Sequence, residues 1–242
     1  MNDAAERNPQ AAAVLRDVLR MSTDLAVEDA LVVESLAYST LQSGTEHRRW
    51  LASYRRRPLQ SVDEPVVVRR EGDTLHITLT RSQRRNAIDA ATRDALLDAF
   101  AIADADPDVD IVWSGTGPSF CSGGDLDEFG TLDDPASAHL IRTTRSLGAA
   151  VHRLCGRITV HLHGRCAGAG VELPAFASRV TADAGTTFLL PELAMGLIPG
   201  AGGTVSLPRR IGRERTAQLA LSGEPIDART ALDWGLIDEI NA

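Results

Sequence analysis

The stretch 158–203, ITVHLHGRCAGAGVELPAFASRVTADAGTTFLLPELAMGLIPGAGG, constrains this chain more than any other. It opens on an alternating apolar run, Ile158 to Leu162, which predicts a buried strand. Gly164 to Gly170 follows, a run rich in small residues that lets backbone approach a ligand closely. Val171 and Glu172 then open an apolar helical run to about Ala177. A strand, a glycine-rich turn and a helix start leave unpaired N–H groups pointing at one spot, where negative charge is welcome. Glu172 sits in the first helical turn beside those donors. Glu192 follows Pro191 and precedes the glycine-rich run Gly196 to Gly203. Donors for an oxyanion plus two carboxyls are the parts needed for enolate chemistry on an acyl group.

The rest of the composition narrows the field. With 242 residues the chain can bury a full single-domain core, or a domain with a helical appendage. A formal charge of −8 and a pI near 5.2 argue against nucleic acid and anionic membrane as partners. No apolar run is long enough to span a bilayer, and the start MNDAAERNPQ lacks a basic-then-apolar leader, so a cytoplasmic location is expected. Cys121, Cys155 and Cys166 show no metal-like spacing, which fits a reduced compartment. All 25 basic residues are arginine. Without lysine there is neither a Walker-type phosphate loop nor a Schiff-base lysine, so the run 196–203 is not a nucleotide loop.

Along the chain, apolar residues at helical spacing predict helices over Ala11–Leu19 and Leu25–Leu41, the second carrying Ala30, Leu31, Val33, Leu36 and Ala37. Thr23 or Asp24 is placed to cap it and Gly44 to end it. A third, arginine-rich helix is expected from about Glu46 to Arg57. The proline-bounded stretch 58–65 reads as a linker. Val66–Arg70 and Thr74–Thr80 form a predicted hairpin around Glu71–Asp73. Helices over Ala90–Ala103 and Ala138–Leu154, a strand over Asp110–Ser114, and short helices over Arg213–Leu221 and Asp227–Trp234 complete a mixed α/β domain.

Four separated motifs, RSQRRNAID, GPSFCSGGDLDEF, HGRCAGAGVEL and LPELAMGLIPGAGGT, occur in an order that resembles the enoyl-CoA hydratase/isomerase (crotonase) family. The resemblance implies an α/β fold, a crotonase-like ββα spiral core. In the family, text resembling GLIDEI is followed by a helical trio that packs on the core and often builds a trimer. Here the helical text of residues 1–57 resembles that trio and precedes the core. The organisation implied is a circular permutation: a helical trimerisation segment over 1–57, a linker over 58–65 and the spiral core over 66–242. Permutation changes connectivity more than contacts when termini lie close together. An unrelated helical extension is the alternative.

The resemblance also implies roles. The amides of Gly124 and Ala169 would form the oxyanion hole for the thioester oxygen. The family usually has glycine at the second position, and alanine restricts the backbone there to φ < 0 more strongly. Glu192 would be the main acid/base at Cα and Glu172 would orient and activate water; the pair together favours a hydratase. Arg84 and Arg85 fall where the family often has basic residues near the CoA nucleotide, and Arg55, Arg56 and Arg57 are further candidates. The implied substrate is an acyl-CoA thioester, with coenzyme A part of the substrate, no separate cofactor and no metal. A homotrimer or dimer of trimers is implied as well. Isomerisation, thioester hydrolysis, C–C cleavage and a non-catalytic CoA-binding role are the competing readings; a Clp-type serine peptidase lacks visible Ser and His motifs. His161 and His163 have no third ligand at suitable spacing and read as core or interface residues. Cys166 has no adjacent base to make it a nucleophile. Pro174, in the first turns after Glu172, is expected to kink that helix.

Overall fold

The computed structural model describes residues 3–58 and 63–241. Half of the expected linker, residues 59–62, therefore lies outside the described residues. Four helices come first: α1 (Asp3–Arg7), α2 (Pro9–Met21), α3 (Val27–Gln42) and α4 (Thr45–Ser53). The α/β part follows with β1 (Val66–Glu71), β2 (Thr74–Leu79), α5 (Ala90–Ala105), β3 (Asp110–Gly115), α6 (Pro135–Thr144), α7 (Leu147–Arg153) and β4 (Ile158–Leu162). Then come β5 (Arg165–Ala167), α8 (Ala169–Glu172), β6 (Arg179–Asp183), β7 (Thr187–Leu189), α9 (Gly203–Ile211), α10 (Arg213–Ser222), β8 (Ile226–Asp227), α11 (Ala228–Trp234) and β9 (Glu239–Asn241).

The predicted hairpin is present: Val66 pairs with Leu79 and Glu71 with Thr74, antiparallel. It starts a six-stranded sheet, β1-β2-β3-β4-β6-β9, whose remaining pairings are parallel. A second sheet has the order β5-β7-β8. Alternation along β2 buries Leu75, Ile77 and Leu79, and along β4 it buries Ile158, Val160 and Leu162. Trp113 fills the centre of the large sheet's core, edge-on to Phe100 at 5.5 Å and Phe120 at 5.3 Å. The loops leaving the C-terminal ends of β3 and β4, which carry the second and third sequence motifs, come together at one end of the sheet, where open α/β sheets place ligands.

The N-terminal helices share the continuous core of the α/β part, burying Leu15, Val18 and Leu19 in it. The observed α3 corrects the periodicity assigned to it. It buries Ala30, Glu34, Ser35, Tyr38 and Leu41, while Leu36 is 52% exposed. Its N-cap is Ala26, with no side-chain cap from Thr23 or Asp24.

Three further differences have local causes. The helix expected over 138–154 is two helices, because Ser146 accepts a hydrogen bond from Ala149 N–H at 3.2 Å and so caps α7. The helix expected to Ala177 is a single turn, α8, followed by a 3-10 turn over Pro174–Phe176, since Pro174 has no N–H with which to continue it. His161 lies on the exposed face of β4 and pairs through Nδ1 with Thr181 Oγ1 at 2.7 Å, so it is not a core residue. Strands β6 and β7 and helix α9 had no counterpart in the sequence reading.

Candidate active site

The carboxyls of Glu172 and Glu192 come from two short elements held against Gly168. Gly168 lies between β5 and α8 at φ +51, a backbone region that favours glycine. A Cβ on it would lie 2.5 Å from Glu192 Oε1 and 3.7 Å from Glu172 Oε1. The two oxygens are thus separated by no more than the sum of those distances, and both carboxyls face one spot. Ala169 begins α8 and its φ is not positive, so alanine fits there; the positive φ falls one residue earlier.

Gly124 sits at the end of the loop from β3, next to Ile88, with which it forms an isolated parallel bridge. That bridge uses the N–H groups of Ile88 and Asp125. Among the described residues, no acceptor is hydrogen-bonded to the amide of Gly124 or to that of Ala169. Both residues line the same cavity as the two glutamates, a space of about 670 Å³.

The environments of the two carboxyls differ. Glu172 Oε2 accepts from the amides of Ala201 at 2.7 Å and Gly203 at 2.9 Å, while its Oε1 is the oxygen turned toward Gly168. Glu192 is buried, and its Oε2 has no hydrogen-bond partner among the described residues. Burial drives both upward from the ordinary carboxyl range. For Glu172 the charges of Glu192 and Glu34 add to that, and the Ala201 and Gly203 amides oppose it. Glu192 is pushed up to about 8. A site with one proton shared between such groups can donate at one carbon while accepting at another.

A third carboxyl, missed by the sequence reading, lines the same cavity. Glu34 of α3 accepts from Gly202 N–H at 2.7 Å and Thr204 N–H at 2.9 Å, and from the Thr204 hydroxyl at 2.7 Å. The available signal was an acid in the apolar run Leu31–Val32–Val33–Glu34, which is costly to bury without a partner.

The cavity lining also includes Leu31, Ser35, Tyr38 and Gln42 of α3. Arg142 of α6 stacks over the Tyr38 ring at 4.7 Å and donates to Ser35, Ser39 and Gln42.

The two arginines of RRNAID sit in different surroundings. Arg84, with a side chain 6% exposed, is ion-paired to Asp125 Oδ1 at 2.9 Å and also to Asp127, so its charge is spent inside the protein. It braces the loop that carries Gly124 and does not line the cavity. Arg85 is exposed at φ +51, and its carbonyl accepts from Ser122 N–H at 3.0 Å. Arg57 joins the same network: its N–H reaches Asp127 Oδ1 at 2.8 Å, alongside the Tyr54 hydroxyl at 3.0 Å. Burial works to raise the Asp127 carboxyl, but these donors outweigh it and hold it at about 2. Arg56 donates to Phe129 O at 2.5 Å.

Burial pushes the Cys166 thiol up to about 12, which leaves it a poor nucleophile. Among the described residues, no group of three or more His, Cys, Asp or Glu is arranged to hold a metal ion, and no helix is long and apolar enough to cross a membrane.

Residues 69–242 match the model of a family described as enoyl-CoA hydratase/isomerase. The chain is 32% identical over 176 residues to the 2,3-dehydroadipyl-CoA hydratase of Escherichia coli (strain K12), covering 72% of this chain and 68% of that protein. It is 32% identical over 167 residues to the mevalonyl-coenzyme A hydratase sidH of Aspergillus fumigatus; that match covers 69% of this chain but 62% of the relative's length. Among solved structures, an enoyl-CoA hydratase from Thermoplasma volcanium GSS1 superposes with a TM-score of 0.68 at 33% identity, over 73% of this chain and 71% of that one. Helices α1 to α4 lie before the family match begins.

Proposed function

Because the chain belongs to the enoyl-CoA hydratase/isomerase family, we propose that it adds water, syn, across the 2,3 double bond of an acyl-CoA thioester. In this reading the thioester oxygen rests between the amides of Gly124 and Ala169, two donors aimed where charge grows as the enolate forms. The loss of one such donor typically costs about 3–4 kcal/mol of barrier. Glu172, anchored through Oε2 by two amides, orients and activates the water with Oε1. Glu192, held largely protonated at neutral pH by burial, delivers the proton to Cα. The observation that carries the reading is the convergence of Glu172 Oε1 and Glu192 Oε1 on Gly168, beside two amides with no acceptor of their own. The thioester brings its coenzyme A with it, and no other cofactor is required.

The test is ultraviolet absorbance of a crotonyl-CoA-like thioester, because hydration removes the conjugated double bond. Bleaching by the wild type and its loss in Glu172→Gln and Glu192→Gln would support hydration. An unbleached spectrum with a shifted double bond or with free thiol would move the reading to the isomerase or hydrolase alternative. Retained cellular function in both variants would point to a non-catalytic CoA-binding member.

Residues 1–57 are read as the family's C-terminal helices placed ahead of the core, joined by the 58–65 linker to the spiral of 66–242. The contacts of α3 with α6, α7 and α9, and the site beneath them, support that reading. Exposed apolar side chains on α3 (Val32, Leu36) and on α6 (Leu140) support a homotrimer or a dimer of trimers, to be read by light scattering. The cytoplasm is the proposed location.

A further inference from the structure

Four consecutive amides, Ala201 to Thr204, open α9, and they alternate between two carboxyls. Those of Ala201 and Gly203 go to Glu172 Oε2, and those of Gly202 and Thr204 go to Glu34 Oε1 and Oε2. Gly202, at φ +103, gives the loop a conformation that glycine adopts without strain. The loop has little room to move: a Cβ on Gly203 would lie 2.6 Å from Glu172 Cγ. One oxygen of Glu172 is therefore held by a loop whose alternate amides are held by Glu34.

We propose that Glu34 is a third carboxyl of the active site, a positioning residue that fixes Glu172 through the shared 201–204 loop and places a further acid beside the pair. This rests on the hydratase reading for its catalytic consequence, but the geometry stands without it. An amide acceptor alone could be a neutral side chain; a buried carboxyl at 2% exposure is expensive unless its charge or proton is used. Around Glu34 stand Glu172 of α8, Glu192 of the 3-10 turn Glu192–Met195, Arg142 of α6 and Tyr38 of its own helix, while His139 of α6 is bonded to the neighbouring Ser35. Burial raises Glu34 to about 7, against the Thr204 and Gly202 donors and Arg142. Its negative charge in turn raises both Glu172 and Glu192. Three interacting carboxyls titrate as a set, so the charge state of the pair depends on a residue from outside the family match.

The experiment uses the full chain with Glu34→Gln, Glu34→Ala and Thr204→Val. The carboxyls of Glu172 and Glu192 are titrated by carbon-13 NMR on glutamate-labelled protein, and kcat and KM are measured against pH with crotonyl-CoA. In Glu34→Gln both titrations should move to lower pH, both limbs of the kcat profile should follow, and kcat should fall about tenfold with KM within about threefold. Glu34→Ala, which also frees two loop amides, should lose about 100-fold in kcat. Thr204→Val removes one donor to Glu34, raises its proton affinity and so should move the pair the same way by less; it decides the matter if Glu34→Gln does not fold. Unmoved titrations and pH limbs, with only the melting temperature lowered, would overturn the proposal. If the wild type hydrates no enoyl thioester, the function reading falls, while the NMR titration still decides the role of Glu34.

Discussion

The two walls of the cavity are built in different ways. The part from the family-matched core brings glycine turns, at Gly123, Gly124 and Gly168, together with Glu172 and Glu192 on short turns and with apolar side chains such as Ile88, Leu126 and Phe129. The part from α3 comes from one 16-residue helix, through Leu31, Glu34, Ser35, Tyr38 and Gln42. The N-terminal helices also brace the reacting side from behind. Asn8 Nδ2 donates to Leu193 O at 2.8 Å, and His47 Nδ1 pairs with Met195 O at 2.9 Å, fixing the turn that carries Glu192. Gly196, at φ +68, lies so close to α4 that a Cβ would be 2.7 Å from His47 N. The two candidate carboxyls thus belong to one part of the chain and the helices that brace their turns to another, and the bracing runs through hydrogen bonds to backbone.

The largest test of this division is Glu192→Gln, expected to lower kcat roughly 1000-fold, at the scale of lost acid/base catalysis. Its melting temperature should hold or rise, since a buried acid with an unpartnered oxygen is removed. Both are read from steady-state kinetics and calorimetry; a drop in both kcat and stability would blur the two walls into one. Gly168→Ala comes next. The new methyl meets Glu192 Oε1 and the backbone is strained at φ +51, so kcat should fall about 100-fold and stability by about 1–2 kcal/mol.

Glu46→Ala probes the supporting side. The Glu46 carboxylate accepts from Gln10 N–H at 2.9 Å and Ala11 N–H at 3.0 Å at the start of α2. Its loss should cost about 2 kcal/mol in urea unfolding while kcat changes less than threefold. A large loss of kcat would show that α2 and α4 reach further into the chemistry than their contacts suggest.

A last test concerns pH. Glu34 and Glu192 have folded values raised to about 7 and about 8 from an ordinary 4.5. The native state then holds more protons than the unfolded one between those limits, so stability falls as pH rises from about 4.5 to about 8. Melting temperatures across that range should decline, and the slope should flatten in Glu34→Gln.

The stretch 158–172 was legible in sequence because it is contiguous. One strand, one glycine-rich turn and one helix start lie within Ile158–Glu172, and the alternation of β4 and the hairpin 66–79 follow from local pattern. Glu34 was not legible, since its partner Gly202 lies 168 residues away and nothing local marks the pairing. The burial of α3 was misread for a related reason. Its polar Glu34 and Ser35 face inward toward loop amides and Arg142, and Leu36 faces outward, which inverts the rule that apolar faces point in. The partners of Arg84 were not legible either, because Asp125 and Asp127 reach it from a loop about forty residues on.

The wall presented by α3 has a practical consequence. Leu31, Ser35, Tyr38 and Gln42 shape the space before the two glutamates, yet they belong to a stretch that precedes the hydratase/isomerase match. On the hydratase reading, acyl selectivity should therefore respond to substitutions on one helix face, with the glycine turns left untouched.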